Sequence, residues 1–136
     1  MGEPMNKEEL EQLMSRYEEL IGFVPPRIQA RFRLSSSIDP EHLRMQEAMR
    51  AHAMYPPCFD VKTAQLMLFG MLLMTMSEGA RFHAVAARRA GASWEELYAV
   101  AAMAGLFRGL SAMNLASDIL DRIMRDEEPQ ATGGQR

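Results

Sequence analysis

Residues 61–76 place the tightest constraint on what this chain can fold into. Val61, Ala64, Leu66, Met67, Leu68, Phe69, Met71, Leu72, Leu73 and Met74 put apolar side chains on nearly every face of a helix. A helix that is apolar all round has to be enclosed by other elements. The longest apolar run, Leu66 to Met76, is interrupted by Gly70 and Thr75 and is too short to span a bilayer, so it predicts a buried, central helix. No stretch of useful length alternates with period two, so no sheet is on offer to enclose it. The partners must be helices, and the fold class is all-α.

Local signals mark those partners. Asn6 with Glu9 caps a first helix carrying Leu10, Leu13, Met14, Tyr17, Leu20 and Ile21, and Gly22 stops it. Pro25-Pro26 opens a short segment over residues 27–34, which ends before Ser35-Ser36-Ser37. Asp39-Pro40 is a cap followed by proline at the first helical position, and predicts a helix to about Ala53. Asp60 caps the central helix. Ser77 opens a helix over 78–90, which Gly91 ends. Ser93 and Glu96 make a capping box for the next helix, running to about Phe107, and a last one covers about 111–125. The reading gives six or seven helices in a single domain over 1–128, with a disordered tail over 129–136.

Composition narrows the partners. The chain has 136 residues, 48% hydrophobic but only 7% aromatic, so its interior draws on aliphatics and thirteen methionines. Methionine fills irregular gaps and lines adaptable contacts; core filler is the expectation for most of them. A net charge of −3 argues against nucleic acid. No basic, apolar leader pattern opens the sequence, and the lone Cys58 cannot form an internal disulfide, so a cytoplasmic protein without membrane attachment is expected.

Three stretches carry a family likeness: Lys62-Thr63-Ala64-Gln65-Leu66, then Ser77-Glu78-Gly79-Ala80-Arg81-Phe82-His83, then Arg89-Ala90-Gly91-Ala92-Ser93-Trp94-Glu95-Glu96-Leu97. With Arg108-Gly109-Leu110-Ser111-Ala112-Met113-Asn114 they resemble the carboxymuconolactone decarboxylase and alkylhydroperoxidase-D-like family, over roughly the C-terminal half. The resemblance implies an alkylhydroperoxidase-D-like helical fold that assembles as a homo-trimer or homo-hexamer. It also implies one of two chemistries. The peroxidase branch carries Cys-x-x-Cys-x-x-x-His; counting back from His83, those cysteine positions hold Met76 and Gly79. Neither can form a thiolate, so thiol peroxidase chemistry of that kind is excluded. The decarboxylase branch carries acidic residues before the same histidine; here Glu78 is present and Gly79 stands where a second acid can occur.

The implied function is cofactor-free decarboxylation or isomerisation of a small unsaturated or lactone acid, a lyase-type step in aromatic compound degradation. His83 is the general acid/base candidate, because imidazole titrates near neutrality, and Glu78 is second. Five residues of regular helix put the two about 140° apart, so a dyad needs a broken first turn or a neighbouring subunit. Arg108 and Asn114 are the substrate-binding candidates, Arg108 through its planar fork, with a helix-end cap as its alternative; Asn114 or Asp118 could orient the ring. From pattern alone His83 reads as a buried histidine bonded to a carbonyl, and Glu78 as a helix-dipole residue. Arg27, Arg31 and Arg33 read as a basic surface patch, with an entrance for anionic substrates as the alternative, and Arg88 and Arg89 read as surface. His42, His52 and His83 share no metal-ligand spacing, so no metal is expected. The alternative function is a non-catalytic ligand-binding or structural oligomer of the same fold.

Overall fold

A computed structural model describes residues 2–129, within which there are seven helices and no strand: α1 Lys7–Ile21, α2 Pro26–Ile38, α3 Pro40–Met54, α4 Val61–Met74, α5 Ala80–Arg89, α6 Trp94–Arg108 and α7 Leu110–Glu127. The expected tail lies, Pro129 apart, outside the described residues. Cα proximity groups the chain into two compact units, Met1–Ala64 and Gln65–Arg136.

The first unit holds α1 to α3 and the first turn of α4. The predicted caps are in place: Asn6 accepts from the Glu9 N–H at 2.8 Å, Asp39 from His42 at 3.1 Å, and Asp60 from Thr63 at 2.7 Å. Gly22 ends α1 at φ 97°, its N–H bonded to Glu18. One boundary differs from expectation. The helix α2 runs on through the three serines to Ile38. The Ser36 hydroxyl bonds back to the Arg33 carbonyl at 3.3 Å, so this serine is satisfied locally without breaking the helix. Tyr17, Ile21, Phe32 and Leu43 are buried, with the Tyr17 and Phe32 rings edge to face at 5.9 Å.

In the second unit the core is built from small side chains. Phe69, Leu73 and Leu97 are fully buried beside Ala80, Ala84 and Ala87 of α5, Ala101 and Ala104 of α6, and Ala116 of α7. Small residues let helix axes approach closely: a Cβ on Gly70 would stand 2.9 Å from Val100 Cγ1, so α4 and α6 nearly touch backbone to side chain there. The methionines do something else. None of those described is buried, which corrects the expectation of core filler, and Met67, Met71 and Met74 form an exposed stripe along α4. Alanine fills the tight core, Met113 packs against it half-buried, and most of the other methionines lie outside.

The helix α5 starts at Ala80, two residues later than the sequence suggests. Ser77 does not cap in the usual way; its hydroxyl accepts from the Gly79 N–H at 3.1 Å. Its own N–H closes the end of α4 on Leu72 at 3.0 Å, while Met76 N–H bonds Leu73 at 3.0 Å. Those two bonds make a Schellman motif with Met76 at the left-handed position, φ 56°. Glu78 is thereby left in a turn.

Candidate functional site

His83 sits on the first turns of α5, half-buried, and its Nδ1 lies 2.7 Å from Oε1 of Gln65. Gln65 comes from α4 and is fully buried, the one polar side chain among the fully buried residues of this unit. With Oε1 accepting, the ring proton is on Nδ1, and in the neutral ring the lone pair is on Nε2. The opposite end of the amide is less comfortable: Gln65 Nε2 is buried and has no hydrogen-bond partner among the described residues. Leaving a buried N–H unpaired costs about 1–3 kcal/mol. Such orphans are uncommon, and a bound ligand or water is one of the things that explains them. Gln65 stands in the first of the family-like stretches, where the sequence alone points to no role for it. Its signal was a lone amide inside an otherwise apolar helix.

The other predicted residues are not gathered round the ring within one chain. The first turn that a Glu78–His83 pairing would need to break is indeed broken, yet Glu78 is exposed and makes no side-chain hydrogen bond or ion pair among the described residues. Arg108 is exposed in the last turn of α6, where its charge suits the helix end, and Asn114 is exposed on α7. Asp118 pairs with Arg122 at 3.2 Å. Arg108 is framed by apolar neighbours that protein covers hardly at all: Leu106 is 78% exposed, Phe107 81% and Leu110 79%.

Two arginines read as surface have structural work instead. Arg88 lies over the Trp94 ring at 4.1 Å, donates to the Ala92 carbonyl at 2.7 Å and pairs with Glu127 at 3.0 Å, tying α5, α6 and α7 together. Arg31 reaches the buried Glu47 at 2.6 Å. An apolar groove of about 510 Å³ runs between α6 and α7, lined by Trp94, Tyr98, Met113, Leu120 and Met124 with Glu95 and Asp121 at its edges. It includes none of the four predicted site residues. Among the described residues no three His, Cys, Asp or Glu side chains cluster as metal ligands. No helix there is long and apolar enough to cross a membrane.

Seven helices with no strand among the described residues fit an alkylhydroperoxidase-D-like helical fold, as the family match bears out. The sequence profile of the carboxymuconolactone decarboxylase family matches residues 40–122, and the chain belongs to that family. The match starts at α3, further toward the N-terminus than the motifs around His83 suggest. No curated protein and no solved structure matches the chain significantly.

Proposed function

We propose that the chain is a cofactor-free enzyme of the carboxymuconolactone decarboxylase type, using His83 as its acid/base group on a small unsaturated or lactone acid. The observation carrying this reading is the His83–Gln65 pair at 2.7 Å. A buried amide fixes the ring's tautomer and orientation, which is what a proton carrier needs. Nε2, the ring nitrogen turned away from Gln65, suits taking a proton first and returning it at a second carbon. In decarboxylation the bond to the departing carboxylate breaks, CO2 leaves, and its electron pair enters the conjugated carbonyl system. Water supplies the proton to that system by way of Nε2 of His83, leaving hydroxide, and completes the step.

The rest of the site is assigned to an assembly. The exposed apolar tip around Leu106, Phe107 and Leu110, with the methionine stripe of α4, supports a homo-oligomer. Arg108 and Asn114 adjoin that tip, so a neighbouring subunit's Arg108 would hold the substrate carboxylate and its Asn114 a second oxygen. Glu78, exposed before α5, serves as the second proton carrier. The lone Cys58 is exposed and suits the cytoplasm, where an aromatic-acid degradation enzyme would work. The exposure of Glu78, Arg108 and Asn114 within one chain also favours a second reading, a non-catalytic oligomer of this fold.

Turnover of a γ-lactone bearing a conjugated carboxylate, followed by CO2 release or loss of substrate absorbance, separates the two. His83→Ala should lower kcat/KM by about 100-fold or more while keeping the helical circular dichroism. Unchanged turnover in that variant rules the enzyme reading out.

A further inference from the structure

The first unit holds a second polar centre that the His83 site does not use. Glu47 of α3 is 2% exposed. The Tyr17 hydroxyl donates to both its oxygens, at 2.8 and 3.0 Å, and Arg31 Nη2 donates to Oε1 at 2.6 Å. The carboxylate is therefore paired with Arg31 at 2.6 Å, and at 3.6 Å with Arg50, while Tyr17 adds a neutral donor. Arg50 joins this arrangement from its outer side, its guanidinium 4.5 Å over the Tyr17 ring. Its Nη1 donates to the Tyr17 hydroxyl and lies 3.6 Å from Glu47, while its side chain keeps 36% of its exposure. Among the described residues, Nε and Nη2 of Arg50 have no acceptor.

That unspent edge meets a groove. A narrow recess of about 10 Å³, lined by Tyr17, Glu47 and Arg50, shares Arg16, Leu20, Ala51 and Tyr55 with an adjoining space of about 450 Å³, which Val61 and Glu19 complete. Among the described residues the Arg16 guanidinium has neither hydrogen bond nor ion pair, and the Tyr55 hydroxyl has no hydrogen-bond partner. The opposing charge, Glu19, has an interaction of its own. Two arginine edges and a phenol thus converge, all with donors to spare, beside a wall of Leu20, Ala51, Val61 and the Tyr55 ring. Apolar walls with a few convergent donors are the ordinary make-up of a small-molecule site.

We propose that this groove binds a small organic carboxylate with a cyclic or aromatic body. The carboxylate would lie between Arg16 and the free edge of Arg50, where planar guanidinium groups match its geometry, and the ring against Tyr55 and the aliphatic wall. The site uses no residue of the His83 reading and stands without it.

Benzoate titrated into the isotopically labelled full chain, read by backbone amide NMR, tests this. The expected result is saturable shifts at Leu20, Ala51 and Tyr55 with a Kd of about 1 mM or tighter. Benzyl alcohol and inorganic phosphate should bind at least about tenfold more weakly, since each lacks one half of the recognition. Arg16→Gln, an exposed and unbonded position, should weaken benzoate about tenfold, and His83→Ala should leave it unchanged. Absence of saturable shifts, equal binding of benzyl alcohol or phosphate, indifference to Arg16→Gln, or loss of binding in His83→Ala would each overturn the proposal.

Discussion

Glu47 carries the largest electrostatic demand of any single residue in the first unit. A carboxylate that is 2% exposed survives only because Arg31 and Tyr17 supply its donors. Glu47→Ala should destabilise the protein by about 3–5 kcal/mol, because Arg31 would be left half-buried without its counter-charge; urea unfolding at pH 7 measures it. The same network sets an alkaline limit. Burial, against the opposing pull of the Arg50 charge and with help from the Glu47 bond, pushes the Tyr17 phenol from 10.0 up to about 12, and burial also raises Tyr55. A group that holds its proton more tightly when folded stabilises the fold below its unfolded value and loses that contribution as pH rises through the folded one. Stability should therefore fall between pH 10 and 12, and the fall should be shallower in Tyr17→Phe, as urea midpoints across that range would show. Neither Glu47 nor Gln65 was legible as a centre in the sequence. Their partners lie far along the chain, and helical periodicity records which face a residue occupies without saying what meets it there.

At the level of the element, two helix ends solve the same problem with different residues. The helix α5 closes with Gly91 at φ 101°, its N–H on Arg88 and that of Ala92 on Ala87. The end of α4 has the same pair of bonds but puts Met76 at the left-handed position. A side chain there costs about 1–2 kcal/mol, and glycine would return part of that gain through its looser unfolded state. Met76→Gly should raise stability by about 0.5–1 kcal/mol and Gly91→Ala should lower it by about 1 kcal/mol, both readable as shifts in thermal midpoint. Helix starts were the most legible feature. The caps at Asn6, Asp39, Asp60 and Ser93 each involve partners three residues apart, so sequence alone contains them. The start of α5 was misplaced because Ser77 serves the end of α4 as well, a competition that no capping pattern encodes.

For the whole molecule, the central fact is how much apolar side chain the second unit leaves outside. Leu106, Phe107 and Leu110 are about four-fifths exposed, and the all-round apolar character of α4 ends in a methionine stripe instead of a buried fourth face. That excess was visible in the sequence as a helix with too few polar residues, although its place on one side of α4 was not. If a homo-oligomer covers these surfaces, Leu106→Lys with Phe107→Ser should lower the mass seen by light scattering by about a factor of two or more while the helical content stays. A wild-type protein that runs as a monomer at about 100 μM would count against the assembly.

If His83 carries the proton and Gln65 holds its ring, the pH dependence of kcat/KM reports it directly. Gln65→Glu would set a carboxylate where a neutral amide now lies 2.7 Å from Nδ1. A negative charge there favours the imidazolium, so the limb of the profile due to His83 should move up by about one pH unit or more. A limb that stays where it is in Gln65→Glu, in an enzyme that still turns over, would contradict the account.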